Sequence, residues 1–255
     1  MDSILAETDA WILVLILAVA MSAAWGVGWW LGIGLRARYG DHEGSKFDDA
    51  SLAFVGLLLA FTFGMSLAKH DHRRDMVVAD SNAIGDFYTC ASMLKEPVQT
   101  KLQTVIRDYL VLRVEMSRKR IDHAALEELL RRSQQMQAQM TDLAVEAVNE
   151  GTPIAVSLTN ALNALTSNHA ARLAAAKDRL PANIVVLLFV SAIMSTMLVG
   201  REQGLAGWLE VAGTLSYILL VTLTVYVTLD LNQPQTGMVT VSQEPLQRLL
   251  SSMPR

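Results

Sequence analysis

Four things are scarce in this sequence, and each scarcity removes a class of explanation. The first is charge. Only 18% of the 255 residues are charged, with a formal net charge of -4, where a soluble domain carries about a quarter. The deficit is uneven: 15 of the 21 Lys and Arg, and 14 of the 25 acids, fall within 69–180. That middle segment is charged like a soluble domain, and its flanks are charged like protein that faces lipid. The near-balance of sign in the middle excludes a nucleic-acid surface, which needs a clear basic excess. The second is cysteine. Cys90 stands alone, so an intrachain disulfide is excluded, and the residue reads as a small core side chain. The third is glycine in the middle segment, where only Gly85 and Gly151 occur and strand-like alternation is missing. The fourth is catalytic apparatus. No glycine-rich phosphate loop, zinc spacing or Ser/His/Asp set is found, so neither an enzyme, a cofactor nor a metal is expected. His70 and His72 fall on different faces of a helix and make a poor metal pair.

What the flanks do contain is apolar runs. A bilayer core needs about 20 apolar residues in a helix. Residues 11–35, 50–68 and 181–200 carry no charge, and 205–229 carry one, Glu210. Helix is the form in which such runs satisfy their backbone groups in lipid. The chain is therefore expected to be all-α, a multi-pass membrane protein with a soluble helical domain (69–180) between a first helix pair (1–68) and a second (181–229), followed by a tail (230–255). The first run is read as a retained span, being too long for a signal peptide and lacking a basic start. Trp25, Trp29 and Trp30 sit toward its Arg36 end, as interfacial aromatics do. Gly26, Gly28, Gly32, Gly34, Gly56 and Gly64 are candidates for close helix approach. Glu210 lies near the start of its run and is placed at the interface. The positive-charge counts on the two sides oppose one another, with a lean toward a cytoplasmic middle domain.

Within the middle segment, breaks are expected at Lys95-Glu96-Pro97, near Asp122 and at 149–153, with Asp122 and Thr152 as N-caps and Pro153 at a first helical position. Leu102, Val105, Ile106, Tyr109, Leu112 and Met116 recur at three- and four-residue steps after Val98. Leu126, Leu129, Leu130, Met136, Met140, Leu143 and Val148 form a second such series. Arg118-Lys119-Arg120 reads as a solvated turn. The second span has no stop signal before 67–74, and 173–180 can stay helical up to Pro181, so both are expected to run without interruption across the membrane surface.

One apolar stripe stands out. Ala53, Leu57, Phe61 and Met65 share a helix face at four-residue spacing. From several subunits they could ring a constriction that gates by dewetting; in one subunit they could simply pack on neighbouring spans. The dense polar run Lys69, His70, Asp71, Arg73, Arg74 follows as a collar.

Gly56-Leu57-Leu58-Leu59-Ala60-Phe61, the run through Ala79-Asp80-Ser81-Asn82-Ala83-Ile84-Gly85, and the end segments Leu229-Asp230-Leu231-Asn232-Gln233-Pro234 with Gly237 and Val241-Ser242-Gln243-Glu244-Pro245-Leu246 resemble a bacterial membrane-protein family described as bestrophin-like. The likeness covers nearly the whole chain. More distantly, Leu57 to Phe61 are similar to the apolar neck of bestrophin channels, with Lys69 and Arg74 at two basic positions and His70-Asp71 where those channels have a Trp pair. Asn232 stands where their tail has its second acid, and no calcium-binding acidic run follows. The resemblance implies a pentameric channel for small inorganic ions in the inner membrane, with the second span lining the pore. Two other classes remain: a membrane-anchored sensor or scaffold working through a partner protein, and, ranked last, an intramembrane enzyme or proton-coupled transporter using Glu210.

Overall fold

The computed structural model describes residues 9–39, 46–116, 123–233 and 237–253. Among these, every regular element is a helix: α1 (Ala10–Tyr39), α2 (Lys46–Ser92), α3 (Val98–Met116), α4 (His123–Asn149), α5 (Ala155–Lys177), α6 (Ala182–Ala206), α7 (Val211–Leu231) and α8 (Glu244–Ser252). Among the described residues four helices, α1, α2, α6 and α7, contain a stretch long and apolar enough to cross a bilayer. Arg118, Lys119, Arg120 and Asp122 lie outside the described residues.

The chain divides into two compact units. The first combines Met1–Lys69 with Arg179–Val239, and the second combines His70–Asp178 with Thr240–Arg255. In the first, α1 and α6 run parallel and pack along most of their length. Ala10, Leu17, Met21, Gly28 and Gly32 form the buried seam of α1, and Val185, Leu188, Ala192, Gly200 and Gly204 belong to the buried face of α6. Ile218, Val221 and Val225 of α7 close the same core. Gly207, with φ +77°, ends α6, and its amide donates back to the Gln203 carbonyl. Only glycine adopts that left-handed backbone without cost.

In the second unit, α3 supplies the central seam, with Val98, Leu102, Ile106, Tyr109 and Leu110 all buried. Ile84 and Phe87 of α2, Met140 and Ala144 of α4, and Leu158 and Leu165 of α5 pack against it. The last helix completes this core. Leu246 is fully buried, with Leu249 and Leu250 beside it, so the segment read in the sequence as a tail is a core element of this unit.

Other expectations are altered too. The second-span helix does continue without a break, to Ser92. Residues 173–180, however, do not stay helical: α5 stops at Lys177, and Asp178 is extended at φ −72°, ψ 109°. The residue before a proline is pushed out of the helical region, and the chain straightens over the residues leading to Pro181. Helix α5 begins at Ala155 after Ile154, which supplies no side-chain cap. Thr152 instead accepts the Ala155 amide through its carbonyl, so Thr152 is not the N-cap and Pro153 precedes the helix. Val148 is 39% exposed rather than core. At the second apolar pair, α6 runs on to Ala206 and α7 starts at Val211. The run read as 205–229 thus begins as a helix only at Val211, with Glu210 at its exposed N-cap position.

Candidate functional site

Helix α2 shows two faces within the first unit. Val55, Thr62 and Ser66 point inward and are almost fully buried. Thr62 turns its hydroxyl back to the carbonyls of Leu58 and Leu59, and Ser66 donates to the Thr228 carbonyl on α7 at 2.7 Å. The opposite face carries the predicted stripe: Ala53 is exposed, Leu57 is 55%, Phe61 64% and Met65 40% exposed. The stripe therefore does not pack on the chain's own spans. Gly56 and Gly64 also lie open, with nothing within 4 Å of where a Cβ would stand.

The glycines of α1 divide differently. A Cβ on Gly28 would overlap the Met197 carbonyl, and one on Gly32 the Arg201 carbonyl. A Cβ on Gly200 would overlap the Trp25 carbonyl, and one on Gly204 the Trp29 carbonyl. Two small-x-x-x-small pairs thus interlock backbone to backbone, whereas Gly26 and Gly34 face open space. Nearby, the Trp25 indole donates to Gln203 Oε1, and Gln203 Nε2 donates to the Thr214 hydroxyl. The Trp25 indole, the Gln203 amide and the Thr214 hydroxyl thereby satisfy one another, as low-polarity surroundings require.

The polar collar is not uniform. Asp71 and Arg74 are exposed, and Lys69 and His70 are half-buried. Arg73 is 4% exposed. Its Nε donates to the Ala175 carbonyl and its guanidinium to the Asp178 carbonyl at 2.6 Å. These are free carbonyls at the C-terminal end of α5, where a cation also meets the negative end of the helix dipole. Arg73 thus acts as a helix cap, apart from its exposed neighbours.

Sequence reasoning missed the strongest electrostatic feature. In the second unit Asp80 on α2, fully buried, accepts from Arg113 of α3 and from Arg172 of α5, both at 2.6 Å on the same oxygen. Arg172 also donates to Gln243 Oε1, just before α8. Two guanidiniums share one carboxylate, so the cluster holds an excess positive charge. Asp80 Oδ1 and Arg113 Nε have no protein partner. Beside it the Tyr109 hydroxyl lies 3.1 Å from His169 Nδ1 and accepts from Gln137. Burial, and then repulsion by Arg113, pull the His169 pKa down to about 4, so the imidazole is neutral near pH 7 and shares a single hydrogen bond with the tyrosine. A signal for this cluster was present. Arg113 falls four residues after Tyr109 and three after Leu110, on the apolar face of α3, where a solvated charge has no place.

Of the segments that carried the resemblance, 229–234 closes on Gly237 within the first unit, and 79–85 is tied to 241–246 within the second. Around Asp230, which is 4% exposed, the carboxylate accepts the amides of Met238 and Val239, and Asn232 Oδ1 accepts the Leu180 amide. Gly237 passes so close that a Cβ would lie 2.8 Å from the Asp230 carbonyl. The other two motifs, 79–85 and 241–246, are joined through Arg172. Gly85 lies under Leu249, and a cleft of about 570 Å³ opens between α2 and α8.

A comparison with curated proteins finds no match. Among solved structures, the chain is similar to a crystal structure described as that of a membrane protein, with 11% identity, 95% of each chain covered and a TM-score of 0.63; that likeness concerns the fold. The model of the bestrophin-like domain matches residues 14–246, so this chain, a multi-pass membrane protein with four apolar helices, belongs to the bestrophin-like family.

Proposed function

We propose that this protein is an oligomeric ion channel whose pore is lined by α2. The observation that carries the reading is the outward face of that helix. Ala53, Leu57, Phe61 and Met65 lie opposite the side held by Val55, Thr62 and Ser66, so one chain leaves them uncovered. Brought together from several subunits, they make an apolar neck that water leaves readily and that ions therefore cross poorly until it widens. Lys69, His70, Asp71 and Arg74 supply a polar collar beyond it, and Arg73, occupied with α5, stabilises the collar's helix. A pentamer is the assembly implied by the likeness to bestrophins. On this reading residues 69–180 are a soluble helical domain, on the cytoplasmic side toward which the opposing charge counts lean, and the protein sits in the inner membrane without enzymatic activity. Small inorganic ions are its cargo.

The test is ion flux through purified protein in liposomes, under separate anion and cation gradients, beside Phe61→Ala. Flux should depend on protein and rise in the variant, because truncating the ring widens and wets the constriction. Absence of flux from a confirmed, correctly inserted oligomer transfers the weight to a second reading, a sensor or scaffold that works through a partner protein. The observation favouring that reading is the unbroken helix from Lys46 to Ser92, which a stoichiometric partner recovered by pull-down would support.

A further inference from the structure

Past its apolar stripe, the exposed face of α2 carries charge of one sign. Within the second unit Asp71, Asp75, Asn82 and Asp86 are exposed and repeat at helical steps, so they share one side of the helix. Asp80, Ile84 and Phe87 take the opposite side and are fully buried. No described residue forms an ion pair with Asp71, Asp75 or Asp86. The bases of the same stretch are turned elsewhere. Arg73 is buried and donates to the α5 carbonyls, and Lys69 and His70 are half-buried. His72 and Arg74 are exposed but flank the acidic row on either side. A solvated helix face mixes its charges, as α4 does with Glu127, Glu128, Arg131 and Arg132, all exposed; this face of α2 does not. Five turns of α-helix take about 18 residues. Asp71 follows Ala53, and Asp75 follows Leu57, by that interval, along a helix unbroken from Lys46 to Ser92. The row therefore continues the register of the stripe.

Resting on the proposal that α2 lines a pore, we infer that the channel passes small inorganic cations and turns anions back: Asp71 and Asp75 form the rings that set the sign, and Asn82 and Asp86 line the way beyond. Helices packed side by side stand about 8–10 Å apart. That is about one Debye length at physiological salt, so carboxylates of neighbouring subunits act on the same ion. A ring of carboxylates in a passage with low-dielectric walls concentrates cations and depletes anions. The charges are also spaced for passage and not for capture. Asp71 and Asp75 lie about 6 Å apart along the helix axis, and no group of three or more His, Cys, Asp or Glu that could hold a metal exists among the described residues. Weak, repeated attraction of this kind lets an ion leave as readily as it enters.

The test is current through the full chain in planar bilayers under a KCl gradient, in the wild type and in Phe61→Ala, whose truncated ring widens the neck. The reversal potential gives the permeability ratio of potassium to chloride, a quantity that does not depend on how much protein inserts. The ratio is expected to favour potassium by about tenfold or more. Asp71→Asn combined with Asp75→Asn, placed in Phe61→Ala, should lower it several-fold, and Asp71→Lys combined with Asp75→Lys should reverse it. Glu127→Gln removes an exposed carboxylate from α4 and should leave the ratio unchanged. Both aspartates are exposed and outside any ion pair, so their variants keep the fold, which equal thermal unfolding verifies. A ratio favouring chloride, a potassium preference that survives Asp71→Asn with Asp75→Asn, or an equal fall in Glu127→Gln would each overturn this inference and leave the channel standing. No current from either the wild type or Phe61→Ala would overturn the channel reading itself, and the inference with it.

Discussion

Where α1 meets α6, four glycines bring two backbones into contact; where α2, α3 and α5 meet, one carboxylate and two guanidiniums do the joining. The two units solve different problems. Between apolar helices in lipid there is little hydrophobic gain from association, so close van der Waals packing of small residues decides which helices pair. In the second unit an apolar seam already supplies the driving force, and the buried charges set which helix faces which. They do so at a desolvation cost that makes each partner indispensable. Glycine in the first unit and Asp80 in the second are therefore the positions least able to change.

The largest effect is expected at the glycine interlock. Gly28→Leu drives a side chain into the Met197 carbonyl, which belongs to a helix backbone and cannot rotate away. Destabilisation should be about 3 kcal/mol or more, read as loss of monodisperse protein in detergent and a lowered melting temperature. Gly56→Ala and Gly64→Ala face open space and should leave the chain's own fold within about 1 kcal/mol, on the stable side. Equal damage from both sets would break the distinction.

Asp80→Asn comes next. It leaves the buried Arg113 and the half-buried Arg172 without a countercharge, a situation that costs about 3–5 kcal/mol. Thermal unfolding of the full chain reads the loss. Arg131→Ala supplies the contrast. Its partner Glu128 is one turn away on an exposed helix face, and the melting curve should not move, because surface pairs contribute little. If the two variants behaved alike, the buried cluster would not be what orders this unit.

His169 gives an intermediate effect with a definite sign. Its folded-state pKa lies near 4, below the ordinary 6.5, because burial and then Arg113 disfavour the imidazolium, with Asp80 opposing and Arg172 reinforcing them. The unfolded chain therefore binds the proton first as pH falls. Stability contributed by the neutral ring is intact above about pH 6.5 and declines as pH drops toward about 4, by at most about 3 kcal/mol. His169→Gln should flatten that part of the pH–stability curve relative to the wild type. Parallel curves for the two proteins would place the acid sensitivity elsewhere.

How much of this was legible follows from what a linear pattern encodes. The four apolar helices were plain, because span length and absence of charge are local properties. The stripe on α2 was legible as a face, and its exposure in one chain is what the structure adds. The glycines were legible as a class but not by role: Gly28 and Gly56 look alike in sequence, and only the approach of Gly200 and Gly204 separates them. Residues 173–180 read as helix because their apolar content persists, yet Pro181 and the Arg73 cap on the last carbonyls end it early. The Asp80 cluster depends on residues 33 and 92 positions apart, which no local periodicity reports. For α8 the signal was present and unused: Leu246, Leu249, Leu250 and Met253 repeat at helical steps, and Leu246 is fully buried.

That last helix offers the finest test of the comparison. Arg172 donates to Asp80 on one side and to Gln243 on the other, so the surplus positive charge of the cluster reaches the segment that leads into α8. Gln243→Glu places a carboxylate against that surplus, turning two guanidiniums and one acid into two ion pairs. The replacement forfeits the amide's donation to the Val241 carbonyl, 3.0 Å long and only part-buried. A neutral bond of this kind is worth about 1 kcal/mol and a charge-assisted one about twice that, so the net change should favour the docked helix by about 1 kcal/mol or less. Gln243→Ala removes both bonds and should loosen it by a similar amount. Hydrogen exchange of the Leu246 and Leu249 amides reads both variants against the global melt, because exchange through local opening responds to the docking of one helix while the rest of the unit stays folded. Slower exchange in Gln243→Glu and faster exchange in Gln243→Ala would show that buried charge reaches beyond the Asp80 cluster to decide the position of α8. The reverse order would show that the apolar contacts of Leu246 and Leu249 suffice, and that in this unit, as in the glycine interlock, shape alone sets the fit.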